Sequence, residues 1–413
     1  MDIVIEVIFS YSGGYNYLHR QVCTQFRQMI KAKPDAYLYY LDDLCRDGLM
    51  GTFTSSEKIA RLALEKELYY LLVSFPEYVP HDDAMEIATR KGNLKILQWV
   101  EKNCHEIGED CFRLAVEAGH YHVLDWLTDL GYQAPGDLFY VAASVGNVQM
   151  LDWLEDNKYE KPEDCVCDYA GEKGHIQVIE WCLNKGCKKN PHAVESAAQG
   201  GQLSTLKWMK ENGYFSKENG HFWNTRLCIG AAKGDCLKVL QWLREEGCPW
   251  NEEVCSYAMR SNSLELLKWA RSQGCPWDEA TFYEAVYRGN IETLCWLKEQ
   301  GCPWSSNCLG ESVWAGQTQV TKWLKEQGCP SDERACSLCA YRGDLETLCW
   351  LREKGCPWDS AVFSEAAISG HLHILEWAKD NGCEWNPELV DLETIFAEAG
   401  TEALEWLRKN NFI

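Results

Sequence analysis

Between Asp278 and Gly301 the apolar residues fall on two successive helical faces. Phe282, Ala285 and Val286 recur at three- and four-residue spacing, and Ile291, Leu294 and Leu297 form a second such set. Asp278 suits the N-cap of the first helix and Glu279 its first turn. Gly289 stops that helix, because glycine tolerates the left-handed cap conformation. Asn290 opens the second helix and Gly301 ends it. Cys302-Pro303-Trp304 then forms the loop to the next pair, with Pro303 unable to continue a helix.

This pattern recurs along most of the chain. A tryptophan on the second helix occurs at Trp99, Trp126, Trp153, Trp181, Trp208, Trp242, Trp269, Trp296, Trp323, Trp350, Trp377 and Trp406. Eight of the eleven intervals are 27 residues, and Cys248, Cys275, Cys302, Cys329, Cys356 and Cys383 keep the same step. A fixed period of this length predicts an all-α helical-repeat solenoid, here about twelve units over 51–413, behind a small helical N-terminal domain over 1–50. The loop cysteine is expected to be a small buried hydrophobe, and the loop tryptophan to cover the edge between neighbours. The helix tryptophan, Trp296 for example, is expected to be buried. Equivalent cysteines on helices about 8–10 Å apart are badly placed for disulfides, which need Cα atoms within about 7 Å.

Composition adds limits. The 413 residues are 46% hydrophobic and carry 62 acidic against 40 basic side chains, a net charge of −22. That balance argues for no nucleic-acid partner, which would need clustered Lys and Arg, and suits a neutral or basic protein partner. The N-terminus has Asp2 and Glu6 and no basic leader, and no apolar run reaches the roughly 18 residues a bilayer span requires. No membrane association is expected. A cytoplasmic location is, with the 22 cysteines held as free thiols.

The chain is poor in catalytic patterns. It has no phosphate-binding loop, no His-Glu-x-x-His and no nucleophile elbow. Cys165-x-Cys167 has the wrong spacing for a zinc or redox motif. In His120-x-His122 and His371-x-His373, side chains two apart on a helix point in different directions. No catalytic residue, cofactor or metal ligand is assigned, and the protein is read as a non-enzyme.

"ATRKGNLKIL" and "AVYRGNIETL", with Ala115–Leu124 and Ala366–Leu375, resemble the ankyrin repeat. The step of 27 is shorter than the usual 33, and the Thr-Pro-Leu-His turn is absent, so short loops should replace most β-hairpin fingers. The Gly-Cys-Pro-Trp form is similar to short ankyrin-like repeats of large DNA viruses and some protists, which implies a viral protein working in the host cytoplasm. In ankyrin-like units the two residues before the helix-ending glycine tend to face the binding groove. The first of these reads Arg90, Glu117, Ser144, Glu172, Gln199, Lys233, Arg260, Tyr287, Trp314, Tyr341 and Ile368, polar early and aromatic late. Tyr287, Trp314, Tyr341 and Ile368, with the adjacent Arg288 and Arg342, are therefore candidate partner-binding residues, because aromatics and arginine are enriched at hot spots. The aromatic rings are expected about 10 Å apart on one exposed face. Tyr214 and Phe215 join the candidates from an insertion near 212–224, which is either a binding projection or a wedge between a five-unit and a seven-unit segment.

The first residues lack the period. "VIFSYSGGYNYLHRQVCTQFRQMI" resembles an F-box through Ile8, Phe9 and Tyr11 and through Val22, Cys23, Phe26, Arg27 and Ile30. Met1-Asp2-Ile3-Val4 replaces the usual Leu-Pro start, and Ser12 replaces a leucine. The resemblance implies that Ile8, Phe9, Tyr11, Val22 and Phe26 bind a Skp-type adaptor and recruit a cullin ubiquitin ligase, while the repeats select a protein target. The alternative is a helical cap on a scaffold or virion component with no ligase link.

Overall fold

A computed structural model describes residues 36–49, 55–103, 108–160, 162, 166–215, 223–386 and 392–412. These residues are helical with short connections, and no strand occurs among them. The candidate adaptor residues Ile8, Phe9, Tyr11, Val22 and Phe26 lie outside the described residues. The chain divides into two compact bodies, 1–190 and 191–413. The protein is a helical-repeat solenoid in each.

The repeat at Glu279–Arg288 and Ile291–Glu299 shows why these residues fold so. Asp278 caps the first helix by accepting from the Ala280 amide, and Asn290 caps the second by accepting from Thr293. Gly289 stands between them at φ 78° and turns the chain back. Phe282, Ala285, Val286, Leu294 and Leu297 are buried together. Burying one such large side chain is worth about 1.5–3 kcal/mol, so each pair is stable only against its neighbours.

In the first body, pairs of this kind begin at His81–Lys91, Asp110–Ala118, Leu138–Val145 and Cys167–Lys173. Two further helices, Glu57–Glu65 and Tyr69–Ser74, precede them. The helix Ala36–Arg46 packs on the second of these, where Asp42 accepts from the Leu71 amide at 2.7 Å. In the second body, first helices begin at Pro191, Thr225, Glu253, Glu279, Asn307, Arg334, Ala361 and Leu392. Successive first helices from Thr225–Lys233 to Ala361–Ile368 pack side by side.

The Gly-Cys loop, Gly-Cys-Pro-Trp in four of these six copies, is a rivet. Cys248, Cys275, Cys302, Cys329, Cys356 and Cys383 are all buried. The Cys275 thiol donates to the Asn251 carbonyl at 3.4 Å, and Cys248, Cys302, Cys329 and Cys383 make the same bond 24 residues back. Each closes a repeat by tying the end of its second helix to the start of its first. The loop tryptophan then reaches forward: Trp277 lies edge-on to Trp296 of the next repeat at 6.1 Å, as Trp250 does to Trp269 and Trp304 to Trp323. Arg271 lies over the Trp277 ring at 4.0 Å and donates to the Cys275 carbonyl. Arg244 and Arg352 repeat this on Trp250 and Trp358.

Two expectations are corrected here. Trp296 is half-buried, as are most of its equivalents, and only Trp181 and Trp242 are buried among the described second helices. At 100° per residue, position 296 is a quarter-turn off Leu297, on the flank of the apolar face rather than within it. Tyr214 is fully buried rather than offered to a partner. It occupies the place of the loop cysteine: its amide bonds the Met209 carbonyl at 3.0 Å, as that of Cys248 bonds Leu243 at 2.9 Å.

Candidate interaction surface

In a helix the last four carbonyls lack intrahelical partners. In the second body, side chains from the following repeat reach some of them. Ser261 Oγ donates to the Lys233 carbonyl at 2.8 Å, Arg288 to that of Arg260, and Arg342 Nη1 to that of Trp314 at 2.7 Å. His371 Nε2 bonds the Tyr341 carbonyl at 3.1 Å, and since a carbonyl only accepts, that nitrogen carries the proton. These bonds line the C-terminal ends of the first helices into one row. Cations at helix C-termini are also favoured by the helix dipole.

On this row Tyr287, Trp314 and Tyr341 are 48%, 46% and 41% exposed. Trp314 and Tyr341 stack, with ring centroids 5.6 Å apart and planes 29° apart. The expected 10 Å separation does not hold for this pair, because the two long side chains lean together across the gap between helices. Arg288 and Arg342 are exposed, each held at one N–H by the carbonyl it caps. Ile368 is half-buried at the end of the row.

Acidic groups nearby are engaged. Arg260 pairs with Glu284, and its guanidinium lies 5.1 Å over the Tyr257 ring, with Lys233 Nζ at 4.5 Å. The Tyr283 hydroxyl donates to the Glu311 carboxylate, which is buried. Burial, and then this carboxylate, push the Tyr283 phenol up to about 12.

Phe215 belongs to a different place. It stacks on Trp223 at 4.2 Å, and Trp223 meets Trp242 edge-on at 5.6 Å. Trp223 thus takes the part of the loop tryptophan, and residues 216–222 lie outside the described residues. The histidine pairs are also explained. His120 and His122 bond the carbonyls of Arg90 and Gly92 at 2.9 and 2.8 Å, and His371 and His373 do the same to Tyr341 and Gly343. Each pair ties one repeat to the previous one.

The equivalent positions of the first body are polar at their start, with Arg90 3.7 Å from Glu117. Sequence reasoning missed two exposed apolar residues there, Val145 and Tyr169. Val145 immediately precedes its glycine, one position after the Ser144 that the pattern picks out, and Tyr169 lies one turn before Glu172, where its ring meets Tyr140 at 5.0 Å.

No family model and no curated protein matches the chain. Among solved structures it is similar to helical-repeat proteins. The crystal structure of the pentatricopeptide repeat protein PPR10 in complex with an 18-nt psaJ RNA element matches at 12% identity. It covers 99% of this chain and 78% of that one, with a TM-score of 0.27. A second such RNA complex, with three cysteines changed to serine, gives the same figures. PPR10 from maize matches at 11% identity over 97% of this chain and 77% of that one, also at 0.27. The exclusion of nucleic acid drawn from net charge is corrected by this finding. The solved structures found include RNA-bound ones, and a total charge does not report how cations are placed. A TM-score of 0.27 identifies no residue here that would meet RNA.

Proposed function

We propose that the protein is a non-enzymatic binding module whose repeats hold a protein target on the row around Tyr287, Trp314 and Tyr341. The observation that carries this reading is the exposed Trp314–Tyr341 stack, since the other large aromatics among the described residues are mostly at least half-buried. Rigid aromatic surface is disposed to become a hot spot, since burying it in a complex gains area at little entropic cost. The repeats are of a short ankyrin-like kind. The helix–Gly–cap–helix unit, with Gly289 in the left-handed conformation and no strand among the described residues, supports that assignment. The test is a comparative pull-down with wild type and a Tyr287→Ala/Trp314→Ala/Tyr341→Ala variant of equal thermal stability. A protein retained by wild type and lost by the variant is expected. Identical sets of retained proteins would contradict the reading.

The sharper form adds ligase recruitment through Ile8, Phe9, Tyr11, Val22 and Phe26, and rests on the F-box-like sequence alone. Recovery of a Skp-type adaptor and a cullin, abolished by Phe9→Asp/Phe26→Asp, is its expected outcome. Reproducible failure to recover them leaves a scaffold without a ligase link.

A further inference from the structure

Along the row, the residue following each aromatic position alternates in kind. Arg288 stands beside Tyr287, Ala315 beside Trp314, and Arg342 beside Tyr341. Two exposed guanidiniums therefore flank an apolar centre made of Trp314, Ala315 and the Tyr341 ring. Each guanidinium is fixed at one N–H by a carbonyl of the preceding repeat, and an arginine has five N–H donors in a planar fork. Three acids near this row are engaged: Glu284 with Arg260, Glu311 with Tyr283, and Asp344 in capping the Thr347 amide, while burial raises the pKa of Glu365 near the end of the row. Lys233 and Arg260 extend the cationic character over Tyr257. On a chain of net charge −22, four cationic side chains gather along this row, two of them as exposed arginines beside the aromatic rings.

We infer that the row recognises an acidic peptide segment of the target, in extended form, with carboxylates at both ends of an apolar core. The inference rests on the proposed protein-binding role of the same residues and adds the partner's chemistry. Spacing refines it. Arg288 and Arg342 belong to repeats two steps apart, about 20 Å at ordinary helix packing distance. An extended chain rises about 3.3 Å per residue, so the carboxylates fall about six residues apart. Charge-assisted bidentate bonds from arginine to carboxylate give orientation, and the stacked rings take the apolar residues between.

The experiment is fluorescence anisotropy on the full chain at low salt. The probes are fluorescein-labelled Glu-Glu-Ser-Leu-Phe-Ser-Glu-Glu, its counterpart with Gln for every Glu, and a single-stranded oligouridylate. Circular dichroism melting shows whether each variant is folded. The acidic peptide is expected to bind at least about tenfold more tightly than the Gln form, as a desolvated charge pair would give. Arg288→Glu/Arg342→Glu should remove that preference, whereas Trp314→Ala should weaken both peptides. Equal binding of both peptides, still lost in Trp314→Ala, overturns the anionic preference and leaves the aromatic surface standing. Binding of neither peptide overturns the inference, and the pull-down decides the broader reading separately. Tighter binding of the oligouridylate, lost on the double charge reversal, overturns it in favour of nucleic acid.

Discussion

A thiol that donates a hydrogen bond in a buried loop resists ionisation. Burial pushes the loop thiol of Cys302, and likewise Cys336 inside its helix, up to about 12, against an ordinary value near 9. Cys228 and Cys255 are raised too, first because each is hydrogen-bonded to the loop cysteine of its own repeat and then by burial. The consequence for stability has a definite sign. Below pH 9 both folded and unfolded thiols are protonated and nothing is lost. Between 9 and 12 the unfolded chain ionises while the folded one does not, so stability falls as pH rises, by up to about 1.4 kcal/mol per unit for each thiol. Urea midpoints measured from pH 8 to 11 should decline, and Cys302→Ala/Cys336→Ala should decline less steeply. Identical slopes would show that these thiols do not contribute. A second outcome concerns modification: in native protein at pH 7.5 a maleimide should react with the half-buried Cys295 well before Cys302, since the thiolate is the nucleophile.

At the scale of the element, the caps and turns carry the argument. Gly289 has φ 78°, and a Cβ there would approach the Gln317 side chain at 2.5 Å. Gly289→Ala should cost about 1–2 kcal/mol, mostly backbone strain, because the glutamine end can move. Gly234 is a different case. Its φ is ordinary, yet a Cβ would sit 1.8 Å from the Gln199 carbonyl oxygen, so neighbouring first helices meet backbone to backbone there. Gly234→Ala should therefore be the more damaging substitution, and chemical denaturation of the two variants ranks them. Asn290→Ala should remove the cap on Thr293 at a cost of about 1 kcal/mol. Most of these elements were legible in the sequence, since period, caps and glycine stops are local signals. Tyr214 was not, because a tyrosine in the cysteine's place looks like part of the insertion that follows it. Trp296 misled for another reason: a conspicuous residue at a fixed period marks the repeat without marking its core. The stacking of Arg271 on Trp277 joins residues whose pairing depends on the path of the loop between them.

For the whole molecule, the account requires that core and binding row be separable. Leu294→Ala, inside a repeat, should lose about 2–5 kcal/mol of folding stability. Trp314→Ala should lose far less, limited to its stacking on Tyr341, roughly 0.5–1.5 kcal/mol. What the sequence carried of the candidate site was its position: Tyr287, Trp314 and Tyr341 stand near the ends of successive first helices that pack side by side, and all three are exposed. It did not carry the ring stack or the pinned arginines, which depend on side chains from successive repeats meeting. The most direct measurement places a photo-crosslinking amino acid at position 314, with position 299 on the exposed side of a second helix as control. The account predicts a discrete adduct with one protein from 314 and none from 299, suppressed by Tyr287→Ala/Tyr341→Ala. No adduct from 314, or equal adducts from both positions, would contradict it.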